Sequence, residues 1–223
     1  MKKFYLGLAI LATALVFQLA SAQADTITLV SDGNTQAAEL VLGAPNSSQT
    51  TTLQNGNTSG LTFQNALVGS YGTNTPVPTG APSGTQVINI PTPSGNWLFG
   101  YTGYSGFFED SFTLPTGFTA ASLSGAGNVD DAGYVFLNGH RITTGLTESG
   151  NAPFSDSTQS DFVAGTNYLL IADNNSGGGP SGAAFYANVS YADASAVPEP
   201  CTMLLLGSGL VGLAVYRKRS KKA

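Results

Sequence analysis

A chain of 223 residues with 28 glycines and only 9 % charged residues has room for one domain of ordinary size plus terminal segments. Its formal net charge is −5, yet seven of the eight basic residues lie at the two ends: Lys2, Lys3, Arg217, Lys218, Arg219, Lys221 and Lys222. Between Asp25 and Pro200, Arg141 alone stands against all 13 acidic residues, a balance of about −12 that argues against nucleic acid and anionic lipid as partners.

Residues 1–24 have the order of a secretory leader. Lys2-Lys3 comes first, then an apolar core from Phe4 to Leu19, then the small-residue site Ala22-Gln23-Ala24. Cleavage is expected after Ala24, with signal peptidase as the partner in that step.

The exported stretch reads as β throughout. Thr26–Val30 alternates polar and apolar residues, and Ala38–Leu42 and Leu61–Val68 are further short strands. The Thr-, Asn-, Gly- and Pro-rich segments Gly43–Gly60 and Ser70–Gly84 are expected to be long loops. Strands are predicted over Gln86–Ile90, Asn96–Tyr101, Phe107–Leu114, Thr119–Ser124, Gly133–Ile142, Phe162–Val163, Asn167–Ala172 and Ala184–Tyr191. Asn138-Gly139 is the strongest hairpin signal among them, because both central turn positions need positive φ. Short strands with frequent turns define the expected fold class, an all-β sandwich or jelly roll. A leader at one end and a short transmembrane helix at the other would flank it. In domain terms, 25–95 supplies strands and long loops to the same sandwich as a core at 96–192, and 193–196 is a linker.

From Leu40 to Phe108 runs a stretch of 69 residues without a charge or a histidine. Its surface must be hydroxyls, amides and glycine, which can hydrogen-bond neutral hydroxylated polymers. Trp97, Tyr101 and Tyr104 are the aromatic residues suited to stacking on a sugar face, with Trp97 the one that core burial would otherwise claim. The lone cysteine, Cys201, excludes an internal disulfide.

Catalytic residues are not expected. His140, the single histidine, follows the Asn-Gly turn and should be solvated rather than buried beside a serine. Glu109 and Asp110 are neighbours on a strand and point to opposite faces. Asp130, Asp131, Asp173 and Asn174, with Asn175, sit in predicted loops whose hard oxygens suit a structural calcium ion. The alternative is turn acids that satisfy backbone amides. No other cofactor is expected.

The tail joins three parts in order: Val197-Pro198-Glu199-Pro200, an apolar run over Thr202–Tyr216, and a cluster beginning Arg217-Lys218-Arg219. The 15-residue run reaches roughly 22 Å as a helix, short of a hydrocarbon core of about 30 Å. It is thus a marginal anchor with its cations inside and its prolines outside. Gly207-Ser208-Gly209-Leu210-Val211-Gly212 matches a dinucleotide-binding pattern but lacks the strand and long helix that motif requires.

This tail resembles the PEP-CTERM sorting signal recognised by exosortases. The resemblance implies export, transient anchoring with the C-terminus in the cytoplasm, then release to the cell surface or extracellular matrix. Phe112 before Leu114-Pro115, Asp130-Asp131-Ala132-Gly133 leading to Leu137-Asn138-Gly139, and Gly165-Thr166-Asn167-Tyr168-Leu169 resemble galactose-binding-type jelly rolls. Together these resemblances imply a non-enzymatic protein that binds or scaffolds neutral polysaccharide weakly in an exopolysaccharide or biofilm matrix. The alternatives are a secreted polysaccharide hydrolase and a structural surface protein without ligand.

Overall fold

The computed structural model describes residues 24–42, 44–69, 75–91, 104–143, 145–148, 150–176, 182–193 and 208–209. Ala24–Ala192 forms one compact unit, and the remaining residues at both ends form a second. The expected leader, the strand at Asn96–Tyr101 and the transmembrane run lie outside the described residues, apart from Ser208 and Gly209 within that run.

The compact unit is a β-sandwich of two sheets in which all pairings are antiparallel. Its strands, in chain order, begin with β1 (Ala24–Val30), β2 (Gln36–Leu42), β3 (Gln64–Asn65), β4 (Leu67–Val68) and β5 (Ile88–Asn89). The second half adds β6 (Tyr104–Leu114), β7 (Thr119–Val129), β8 (Ala132–Leu137), β9 (His140–Arg141) and β10 (Leu146–Thr147). It closes with β11 (Ala152–Asp156), β12 (Gly165–Asn174) and β13 (Ala183–Ala192). One sheet runs β11-β7-β13, with β1 and β5 sharing the far side of β13 and β4 beyond β5. The other runs β10-β8-β12-β6-β2-β3, with β9 on β8.

The core between the sheets is built by period-two alternation. Phe108, Phe112, Val135, Leu169 and Ile171 of one sheet face Leu123, Val129, Phe185 and Val189 of the other. The second sheet is also covered on its outer face. There Phe107, Phe136, Leu170 and Ala172 pack with Leu53. That double burial explains the unbroken apolar runs in β8 and β12, where a half-exposed strand would alternate.

Leu53 belongs to a helix, α1 (Ser47–Gln54), inside the segment expected to be loop. The helix has no apolar stripe, and Thr50-Thr51-Thr52 is a β-branched run with poor helix propensity. It forms because Asn46 and Gln49 make a reciprocal capping box, and because one leucine reaches the outer core. Three further local differences are physical. Phe162–Val163 is not a strand: Phe162 ends a 3₁₀ turn over Gln159–Asp161 and drops into the core. Leu61–Val68 is two two-residue strands. β11 was not expected at all, and it accommodates Pro153 because it lies at a sheet edge, paired only with β7.

The Asn138-Gly139 hairpin forms as the sequence indicates, with φ of 49° and 83° at its two residues. Asn138 then donates through Nδ2 to Asn167 Oδ1 at 2.8 Å, and its Oδ1 accepts from the Tyr168 amide at 2.9 Å. Asn167 is fully buried and also bonds both backbone groups of Val163. Two of the three motifs that carry the galactose-binding-type resemblance therefore meet in one satisfied network.

Ser31 makes the join where β1 ends and the Gln86 segment takes over the edge of β13. Its amide donates to Phe185 O at 2.9 Å, and its Oγ accepts from the Phe185 amide at 3.0 Å and donates to Gln86 O at 2.6 Å. Ser31→Ala leaves the buried Phe185 amide without that acceptor and Gln86 O without that donor. A loss of about 1–3 kcal/mol in unfolding free energy is expected from urea denaturation.

Candidate metal centre

β7 and β8 are joined by a two-residue turn, Asp130-Asp131. Asp131 takes a left-handed φ of 60°, and the Ala132 amide donates to Asp130 O at 3.0 Å. Register then brings other segments to this turn. β10 pairs Leu146 with Gly133 and Thr147 with Ala132, so Glu148, next in line, comes level with Asp131. On the other side of β8, β12 pairs Asp173 with Gly133 and Asn174 with Ala132. Ser176, just beyond, donates through Oγ to Asp131 Oδ2 at 3.2 Å.

Asp130, Asp131 and Glu148 can each offer a carboxylate oxygen with all three within 4.8 Å of one another. Asp173 is fully buried, on the face of β12 shared with Leu169 and Ile171, and neither of its oxygens has a hydrogen-bond partner. Its cross-strand neighbours are Gly133 on β8 and Gly106 on β6, so neither flanking strand places a side chain beside the carboxylate. A Cβ at Gly133 would run into Ala172 O and Val129, and one at Gly106 into Ala38 O. Both glycines are thus required by close packing.

The electrostatics follow from this crowding. Burial first, then the charges of Asp131 and Glu148, outweigh a backbone hydrogen bond from Asp131 and push the Asp130 carboxyl up to about 6. Burial first, then Asp130 and Asp131, holds Asp173 well above the usual carboxylate range. A hard cation among these oxygens would remove the repulsion and take the place of the missing donors.

Of the four residues named from sequence as cation ligands, the structure gathers Asp130, Asp131 and Asp173 around one turn. Strand alternation sends the Asn174 side chain to the opposite face from Asp173, where its buried Oδ1 has no partner. Asn175 is buried, and its amide donates to Ser105 Oγ at 3.0 Å. Glu148 escaped sequence reasoning because a two-residue strand, β10, delivers it.

His140 is exposed at the hairpin, with Nδ1 3.7 Å from Asp161 Oδ1. Trp97 and Tyr101 are outside the described residues, and of Tyr104 only the backbone, opening β6, is described. Arg141 stacks 4.1 Å over the Tyr134 ring and donates to Thr143 O. Glu109 and Asp110 do point to opposite faces, Asp110 sharing the inner one with Phe108 and Phe112.

Fold and site together define a β-sandwich with a carboxylate cluster at one of its turns. Beyond the sandwich, residues 196–219 match the PEP-CTERM protein-sorting motif. This match covers Val197, Pro198, Glu199, Pro200, Arg217, Lys218 and Arg219, and it implies an exported chain sorted by exosortase. Among the described residues no helix is long and apolar enough to cross a membrane. No curated protein matches this chain. Among solved structures, a β-glucuronidase from an uncultured Clostridium species is similar over 80 % of this chain and 30 % of its own, with 12 % identity and a TM-score of 0.42. A Ruminococcus gnavus β-glucuronidase in complex with a C6-substituted uronic isofagomine is similar over 74 % and 29 %, with 13 % identity and a TM-score of 0.43. This chain therefore spans less than a third of the length of those enzymes.

Asp110, away from the cluster, gives a pH prediction. Burial first raises its pKa from 3.8 to about 6; the charges of Asp32 and Glu109 add to this, and a Thr35 hydrogen bond opposes it. The folded state therefore holds this proton more tightly than the unfolded chain. Its stabilising contribution is complete below pH 3.8 and is lost as pH rises through about 6. Asp110→Asn should remove a loss on the order of 2–3 kcal/mol between pH 4 and pH 7. Urea midpoints across that range read it directly.

Proposed function

We propose that this chain is an exported, non-enzymatic surface or matrix protein that binds or scaffolds neutral exopolysaccharide weakly. Its leader is removed by signal peptidase after Ala24. Its tail holds it briefly at the inner membrane until exosortase acts near Pro198-Glu199-Pro200. The observation that carries the reading is the sorting motif at 196–219, immediately following a compact β unit that ends at Ala192.

The surface chemistry supports a neutral partner. Asn46, Ser47, Ser48, Thr51, Asn55, Asn57 and Ser59 are exposed on and after α1, within the 69-residue charge-free stretch. Hydroxyls and amides at this density can exchange water for sugar hydroxyls without the desolvation cost of a charge. The likeness to galactose-binding-type jelly rolls, read from the Asn138 and Asn167 motifs, supports the same class of partner. Tyr101 and Tyr104, with Trp97, remain the residues proposed to stack on it.

The hydrolase alternative asks for two carboxyls spaced for a sugar, about 5–5.5 Å apart for retention or 6.5–9.5 Å for inversion. Oxygens of Asp130, Asp131 and Glu148 within 4.8 Å of one another favour a shared cation over such a pair.

Replacing Pro198, Glu199 and Pro200 together by alanine should leave the chain membrane-bound with its tail uncut. The unaltered chain should instead be recovered with termini near Asp25 and close to the Pro-Glu-Pro box, by intact mass after fractionation. Full-length protein in the cytosol would refute the export reading. Unretarded migration in affinity gels containing neutral polysaccharides, with and without calcium, would remove the glycan claim.

A further inference from the structure

We infer that Asp130, Asp131, Glu148 and Asp173 bind one calcium ion, which ties the β7–β8 turn to the ends of β10 and β12. Two independent observations carry this. The first is the convergence of Glu148, delivered by β10, on the Asp130-Asp131 turn, with oxygens of all three within 4.8 Å of one another. The second is Asp173, fully buried, with both oxygens unpartnered and glycine on either flank.

A buried carboxylate normally receives donors from backbone amides or basic side chains. Here the charges that bear on Asp173 are those of other acids, Asp130 and Asp131. Arg141, the one basic residue between Asp25 and Pro200, is stacked on Tyr134 and bonded to Thr143 O and Gln54 O. A divalent ion would balance the negative charge that these carboxylates bring to the turn.

The donor set also selects the ion. All four ligands are carboxylate oxygens, with neither imidazole nor thiolate among them, which disfavours zinc and copper. Magnesium demands a near-ideal octahedron and keeps several waters. Calcium accepts more oxygens in an irregular shell, as a turn and two strand ends would supply. The choice of calcium rests in part on the export reading, since extracellular modules bind calcium with dissociation constants on the order of 10⁻⁴–10⁻³ M.

The test uses the full chain purified in detergent, with thermal melting and calorimetric titration in about 5 mM calcium, about 5 mM magnesium, or chelator. Calcium should raise the melting temperature by about 5 °C relative to chelator, and magnesium by clearly less. Glu148→Gln should weaken calcium binding at least tenfold, and with one repelling charge removed its chelated form should melt no lower than the unaltered chain. Asp173→Asn should abolish the calcium shift, and its chelated form should melt no lower than the unaltered chain. If Asp173→Asn does not fold, Glu148→Gln carries the test alone. Absence of both a calcium shift and binding heat in the unaltered chain would overturn the proposal and leave Asp173 a protonated core acid. An equal magnesium shift would overturn the choice of ion. A calcium shift that survives both substitutions would place the ion elsewhere. None of these readouts depends on fractionation, so a failed calcium site and a failed export reading are separable.

Discussion

The apolar contact between the two sheets is the constraint under which everything else in the compact unit is arranged. A chain with one cysteine has no internal disulfide, and with one basic residue between Asp25 and Pro200 it can build no ion-pair network there. Phe108, Phe112, Phe154 and Phe185, all essentially buried in the inter-sheet core, must supply the cohesion. Each contributes on the order of 1.5–3 kcal/mol of burial. The second sheet adds to this by burying its other face under Leu53 of α1, so its central strand β12 is apolar on both sides through Leu169–Ala172. The buried polar residues fit around that frame. Ser31 and Asn167 are at 0 % exposure, and both spend their side chains on backbone groups at places where one strand gives way to another segment.

How much of this could be read in the sequence depended on how local each cause was. Thr26–Val30 declared itself by alternation, Phe107–Leu114 by the glycine and proline that bound it, and Asn138-Gly139 by the positive φ its turn requires. α1 did not, because its stability comes from a capping box and a single leucine rather than from periodicity. β11 was masked by Pro153, which only an edge position makes acceptable. At the carboxylate cluster the same rule holds. Asp130-Asp131 is visible as a turn. That Glu148 stands level with Asp131 is a consequence of the β8–β10 register, which no short window contains. Asp173 looked like a loop acid, yet it is the inner-face residue of a long strand, two positions beyond Ile171. A buried acid at that position disagrees with the local pattern, and such disagreements concentrate at functional sites.

The ends of the compact unit bear on its processing. Ala24 pairs with Ala192, and the antiparallel ladder continues without a break to Val30 and Tyr186. Both chain ends of the unit therefore leave from neighbouring strands at one edge region of the same sheet. A cut after Ala24 would remove only the outermost residue of that ladder, leaving Asp25 to Val30 in register with Tyr191 to Tyr186. Four residues, Asp193–Ala196, separate β13 from Val197 in sequence. Trimming at both ends is thus compatible with a sandwich that is already folded, since neither cut touches a residue of the core.

Charge and neutrality are also kept apart within the unit. The stretch around α1 presents hydroxyls and amides, while the carboxylates that crowd most closely do so at the β7–β8 turn, beside strand ends rather than across an open sheet face. If an ion neutralised the turn, the region facing a neutral polymer would need no change in composition to do so. Four of the 13 acidic residues would then serve one structural joint. Such a joint would be firm wherever calcium is plentiful and would loosen where it is scarce. A sandwich without disulfides could in this way depend for its full stability on reaching the outside of the cell.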